Sequence, residues 1–343
     1  MKQLLNTLYV TTEGAYLSKE GDTVCVQIEG ETKLRIPIHT VGSIVCLGRI
    51  GASPYLMQLC GERDVALSFL SENGRFLARV VGATHGSVLL RREQYRRTDD
   101  EEACLRVAHP CVVGKIANAR TVLLRGTRDH GDSPGAPALD EAARRLARLL
   151  QQIEQSPPLD VLRGMEGDAA RIYFAAFDHL IVAQKDCFQL TERSRRPPLD
   201  PMNALLSFLY TMLVHDVTAA LEANGLDPAV GYLHRDRPGR PSLALDLMEE
   251  LRPFLADRLA LSLVNRQQVK GSGFTTSESG AVVMDDATRR KVIIAWQERK
   301  REEITHPFLN EKIAIGLLPH VQALLLSRHL RGDLEAYPPF LWR

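Results

Sequence analysis

Two regimes of hydrophobic spacing divide the chain. Over the first ninety residues apolar and polar positions alternate. TVCVQIEG (23–30) and KLRIPIHT (33–40) have the period-two pattern of strands, with EGET as the turn between them. GSIVCLG (42–48) is a continuous apolar run, as expected of a fully buried strand. SPYLMQLCGERD (53–64) predicts a short helix, with Ser53 as its cap and Pro54 in its first turn. VALSFLSENGRFLARVVG (65–82) is two strand segments about Asn73-Gly74, a dipeptide suited to tight hairpins. Short strands at this spacing predict a small β-sandwich-like domain over residues 1–88.

Beyond it the pattern changes. RREQYRRTDDEEA carries charge without alternation, and residues 89–103 are expected to be a charged linker. From there apolar positions recur at helical spacing. Helices are predicted at 104–126, 140–155, 166–185, 202–224, 243–265, 285–303 and 310–331, forming an all-α domain over 104–343. Strands first and helices afterwards predict an α+β chain of two domains, not an alternating sheet. The KGSGF loop (270–274) lacks the spacing of a phosphate-binding loop.

Composition narrows the class. The chain has 343 residues, 45% of them apolar and 25% charged, enough for a sizeable core. Its formal charge of +1 conceals an unusual choice of cation, since only nine of 43 basic residues are lysines. Arginine suits bidentate contact with phosphate or carboxylate. Six scattered cysteines form no CxxC pair, which fits reduced thiols in the cytoplasm. The N-terminal stretch has no signal-peptide core, and no uninterrupted apolar run approaches about 18 residues, so no membrane span is expected.

Chemistry concentrates in two places. On a wheel for 243–265, Asp246, Glu249, Glu250 and Asp257 fall within an arc of roughly 100°. Leu243, Leu247, Leu251 and Phe254 gather beside them. Such an arc is either a solvated acidic face or one wall of a cation site. Just upstream lie His234 and a basic loop with Arg235, Arg237 and Arg240, a combination suited to phosphodiester chemistry. The second place is LRGMEGDAARIYF (162–174), where Glu166 stands between two glycines, with Arg163, Asp168 and Arg171 nearby, at an expected helix start. Arg193, Arg195 and Arg196 in TERSRRPP are further candidate phosphate contacts. Asn203 is a candidate for orienting a ligand or the backbone, while Tyr173 and Tyr232 are read mainly as core.

LRGMEG, DPMNALLSFLYTML and GLDPAVGYLHRDRPGRPSLALDLMEELRP together resemble the CRISPR-associated integrase family, the larger spacer-adaptation protein. Length and wording are most similar to its subtype I-C branch. The resemblance implies that Glu166, His234 and Glu249 bind Mg²⁺ or Mn²⁺, and that Asp246 is a further catalytic acid. Many members carry aspartate where this chain has Glu249, and Asp246 and Glu250 remain alternatives for the third ligand. The implied activity is metal-dependent endonuclease and transesterase chemistry, joining 3′-OH ends of captured DNA to the CRISPR repeat. Implied partners are double-stranded and branched DNA, a second copy through the β-domain, a small ferredoxin-like CRISPR adaptation protein and an iron–sulfur CRISPR exonuclease. A non-catalytic DNA-binding scaffold and an unrelated metal-dependent phosphoesterase are the competing classes. The C-terminal EAYPPFLWR is expected to dock on its own helical domain.

Overall fold

The computed structural model describes residues 7–72, 76–82 and 88–342, which form a β-strand unit and a mainly helical one, α+β overall. The first unit comprises residues 1–86 with 293–302 and 314–317, and the second holds the rest.

In the first unit, β1 (Thr7–Val10), β2 (Tyr16–Glu20), β3 (Thr23–Ile28), β4 (Glu31–Pro37), β5 (Ser43–Leu47) and β6 (Gly51–Ala52) precede α1 (Pro54–Glu62). Then follow β7 (Ala66–Leu70) and β8 (Phe76–Val80). One sheet has the order β1-β5-β7-β8 and the other β4-β3-β2-β6. The alternating segments pair antiparallel as β3 and β4, whereas the continuous apolar run β5 is buried throughout and pairs parallel with β1 and β7. Burial on both faces explains why β5 does not alternate. Leu17, Val24, Ile44 and Leu67 from both sheets, with Leu56 of α1, share one core and are wholly buried. Each contributes at most about 1.5–3 kcal/mol. Ser53 caps α1 by accepting from the Leu56 amide at 3.2 Å, with Pro54 following. Strands β7 and β8 are antiparallel, while the expected turn at Asn73-Gly74 lies outside the described residues. Strands β1 and β2, with the parallel pairings, went unread in the sequence.

The second unit begins where a linker was expected. Val88–Thr98 is a helix, α2, with Leu90 and Gln94 buried, and α3 (Glu101–Asp129) follows. Next come α4 (Ala136–Ile153), α5 (Leu159–Phe177) and α6 (Pro201–Ala223). Helix α5 starts after Pro158, so Glu166 lies two turns inside it and not at its start. Helix α6 is long and apolar enough to cross a bilayer, with mean hydropathy 1.5, but Leu205, Leu206, Leu209 and Leu213 are fully buried in the core.

The single helix expected over 243–265 is broken. Helix α7 (Ser242–Met248) ends just before Glu249, a π-turn covers Pro253–Asp257, and α8 (Arg258–Asn265) completes the run. Pro253 lacks an amide proton and its ring clashes with the carbonyl four residues back, which is that of Glu249. Strands β9 (Phe274–Thr276) and β10 (Val282–Met284) form a hairpin before α9 (Asp286–Arg301). Strands β11 (Glu303–Thr305) and β12 (Lys312–Ala314) precede α10 (Leu318–Arg331). The helix expected at 310–331 therefore begins only at Leu318, where Pro319 suits a first turn.

Candidate active site

The four acids of the wheel do not form a solvated face. Asp246, Glu249, Glu250 and Asp257 are each no more than 1% exposed. A buried carboxylate must be paired or hydrogen-bonded, and each of the four finds different partners.

Asp246 on α7 closes on the backbone ahead of it. Its Oδ2 accepts from the amides of Tyr232 at 2.6 Å and Leu233 at 3.0 Å, and its Oδ1 from that of His234 at 2.9 Å. Gly231 makes this approach possible, because a Cβ there would stand 2.9 Å from Asp246 Oδ2 and 2.8 Å from Ser242 Cβ. Asp246 Oδ1 also meets His234 Nδ1 at 2.6 Å. An ionised carboxylate only accepts, so Nδ1 carries the proton of this contact and Nε2 is the ring nitrogen turned toward Glu249. A carboxylate behind a histidine in this way orients the ring for a metal.

Glu249, at the end of α7, has its Oε1 2.7 Å from Arg252 and 3.9 Å from His234 Nε2. Its Oε2 lies 2.7 Å from Lys115 Nζ on α3, in a contact without hydrogen-bond geometry. Burial raises the Glu249 pKa, but Arg252, Lys115 and His234 outweigh it and hold the carboxyl at about 2. Glu166 reaches the same ammonium from α5 through its Oε1. Lys115 thus gathers carboxylates from two separate elements, with His234 Nε2 beside them.

The other two acids face away. Glu250 accepts from the Tyr337 hydroxyl, from Gln322 Nε2 at 3.0 Å and from the Phe340 amide at 2.6 Å. Burial pushes its pKa up to about 7 against those hydrogen bonds. Gly114 leaves room for it, since a Cβ there would stand 2.8 Å from Glu250 Cβ. The C-terminal segment is thereby seated on the helical unit, where Asn118 bonds the carbonyl of Phe340 at 2.8 Å and the amide of Trp342 at 2.8 Å. Asp257 accepts from the hydroxyls of Tyr210 at 2.6 Å and Tyr173 at 3.0 Å, and burial raises its pKa to about 6.

The arginines divide in the same manner. Arg193 turns inward, bonding Asn203 Oδ1 at 2.6 Å and Ser207 at 3.1 Å, with its guanidinium 5.3 Å from the Tyr210 ring. Asn203 is fully buried and also holds Ser194 N and Glu192 O, fastening the 192–200 loop to α6. Arg163 donates to the Leu233 carbonyl at 2.6 Å, tying α5 to the His234 loop. Arg171 pairs with Asp168, and Arg235 with Asp160. Arg195, Arg196, Arg235 and Arg237 are exposed, and Arg240 is half-buried. Sequence reasoning missed Lys115 and Arg252. Lys115 had a signal, a lone charge within VVGKIANA in a chain that otherwise favours arginine.

Among the described residues no three His, Cys, Asp or Glu side chains already converge as a metal cluster. The residues nevertheless fit a hard divalent cation. Two carboxylates meet at one cationic point, one buried oxygen lacks a hydrogen bond, and an oriented imidazole stands alongside.

Residues 8–298 match the family described as CRISPR associated protein Cas1. The chain is 50% identical to the CRISPR-associated endonuclease Cas1 1 of Chlorobaculum tepidum over 343 residues, covering all of both chains. It is 52% identical over 347 residues to the CRISPR-associated endonuclease Cas1 2 of Rhodospirillum rubrum, again covering both completely. It is 37% identical to a Cas4 exonuclease/Cas1 endonuclease fusion of Geobacter sulfurreducens, over 98% of this chain and 60% of the fusion. Among solved structures, a casposase bound to integration product shares the fold with TM-score 0.83 at 18% identity, over 98% of this chain and 94% of that one. A chain of a Cas6-RT-Cas1–Cas2 complex also has TM-score 0.83 at 21% identity, over all of this chain and 36% of that one.

Proposed function

The chain belongs to the Cas1 family of CRISPR-associated proteins, and on that premise we propose that it is the integrase of CRISPR spacer acquisition, of the subtype I-C branch. In this reading it joins the 3′-hydroxyl ends of captured DNA to the CRISPR repeat by phosphodiester transesterification. The observation that carries it is the meeting of Glu166 and Glu249 at one cationic point beside His234 Nε2, from three separate segments.

Glu166, His234 and Glu249 would hold Mg²⁺ or Mn²⁺. The bound ion would stabilise negative charge on the phosphoryl oxygens and favour ionisation of the attacking hydroxyl. The chain's own residues prepare the site. Asp246 fixes the His234 tautomer so that Nε2 faces Glu249. Arg252 and Lys115 keep Glu249 ionised at any working pH, so no proton need leave it before it binds a cation. Arg195, Arg196, Arg235, Arg237 and Arg240 are candidates to hold the DNA backbone. Exchange of one phosphodiester for another needs no covalent protein intermediate, and water in place of the 3′-hydroxyl turns the same site to cleavage.

Assembly follows the same premise. A relative in which Cas4 exonuclease and Cas1 endonuclease are fused supports an iron–sulfur exonuclease as partner. A fold neighbour within a Cas1–Cas2 complex supports a small ferredoxin-like adaptation protein. The protein acts in the cytoplasm as a homodimer on duplex and branched DNA. The decisive assay is strand transfer by purified Glu166→Ala and His234→Ala variants. Both are expected to lose integration and keep duplex binding, and integration retained by either overturns the assignment. DNA binding by the wild type with no metal-dependent joining or cleavage would favour a non-catalytic scaffold.

A further inference from the structure

The geometry points to Lys115 as a resident counter-ion that holds Glu166 and Glu249 together in the metal-free protein and is displaced when the divalent ion binds. The inference rests on the metal-site reading above.

Three observations carry it. First, Lys115 Nζ pairs with both carboxylates at once, lying 2.7 Å from Glu249 Oε2. A divalent ion on that same oxygen would stand about 3 Å from the ammonium, where like-charge repulsion is severe. The two cations therefore exclude each other. Second, Glu249 has a separate partner that can remain. Arg252 holds Oε1 at 2.7 Å, so loss of Lys115 frees Oε2 without leaving the carboxylate unpaired. Third, the residue type suits exchange. The chain uses arginine for most of its cations, yet places lysine here. An arginine fork would grip both carboxylates with fixed hydrogen bonds, whereas an ammonium is a compact point charge on a flexible stem. The lysine side chain is 11% exposed, so its ammonium is not sealed from solvent. In the absence of metal, the lysine keeps two repelling carboxylates at binding distance.

The test is a thermodynamic cycle on the full chain with Mn²⁺, read by electron paramagnetic resonance of free Mn²⁺ and by thermal unfolding. Lys115→Met is expected to melt several degrees below wild type without metal. Its Mn²⁺ affinity should be about tenfold or more higher, and its melting deficit should vanish at saturating Mn²⁺. Lys115→Arg should bind Mn²⁺ no more tightly than wild type. If the deficit of Lys115→Met persists at saturating Mn²⁺, or its affinity is not raised, Lys115 is a fixed structural partner and the inference fails while the metal site stands. If Mn²⁺ neither binds nor stabilises wild type, the metal-site reading itself fails, and this inference with it. Should Lys115→Met not fold, reductive methylation of wild type gives the answer. Mn²⁺ should raise the labelling of Lys115 relative to other lysines, and unchanged labelling overturns the displacement.

Discussion

Glu249 and Glu250 are adjacent and equally buried, but they belong to regions of opposite character. Around Glu250 the donors are a tyrosine hydroxyl, a glutamine amide and a backbone amide, all neutral. Around Glu249 they are Lys115 and Arg252, both charged, and one oxygen is left without a hydrogen bond. The first environment is closed and serves packing. The second is electrically strong and geometrically incomplete. Identical side chains at consecutive positions acquire these fates because the helix ends between Met248 and Pro253, which sends the two carboxyls to different neighbours.

The largest expected effects separate the two regions outright. In the proposed reading Glu249 is an ion ligand, so Glu249→Ala should reduce strand transfer by about a thousandfold or more. Glu250→Ala should instead destabilise the fold by roughly 3 kcal/mol, leaving the Tyr337 hydroxyl and the Phe340 amide without their acceptor. An integration assay beside urea unfolding checks both, and equal losses of strand transfer in the two variants would dissolve the distinction.

Next in size is Asp246→Asn. The amide keeps the shape but can present its NH₂ to the histidine, and Mn²⁺ affinity should fall about 10–100-fold. Unchanged affinity, measured by titration calorimetry, would remove Asp246 from the site's support.

A subtler contrast is in pH. Glu250, raised to about 7, has a folded pKa above its unfolded value, so its contribution to stability declines as pH rises through the interval from about 4 to 7. Asp257, raised to about 6, acts in the same sense. Glu249, held at about 2, contributes stability above its unfolded pKa and loses it as pH falls from about 4.5 toward 2. The metal-free protein should therefore be most resistant to urea near pH 5. Glu250→Gln should flatten the arm from pH 5 to 7, and Glu249→Gln the acid arm.

The smallest effect concerns Gly164 and Gly167, which flank Glu166 inside α5. A Cβ at either would meet nothing within 4 Å, so no internal contact requires glycine. Gly164→Ala should stabilise the helix by about 1 kcal/mol. If the bare surface admits a nucleic-acid backbone, the same change should weaken duplex binding, as a salt-matched fluorescence titration would report.

What the sequence disclosed follows from the range of the physics. Alternation and capping are local, so β3, β4 and α1 could be read directly, Ser53 and Pro54 included. The parallel pairing of β1, β5 and β7 depends on distant partners and left no local trace. Glu166, His234 and Glu249 were named from motifs, and the structure brings their segments together. The wheel failed for the acids because it assumed one unbroken helix, although Pro253 was there to be read. It also could not distinguish burial from exposure, since Asp246 is satisfied by backbone amides that only folding supplies. Lys115, far upstream in sequence, could be connected to the acids only in three dimensions.

The seating of the C-terminal segment has a consequence for biosynthesis. Glu250 receives its partners from Tyr337 and Phe340, residues made long after the turn they secure. A nascent chain therefore holds Glu250 without these partners until residues 337–340 have been made. A product cut short before Tyr337 lacks the clasp behind the Glu249–Glu250 turn.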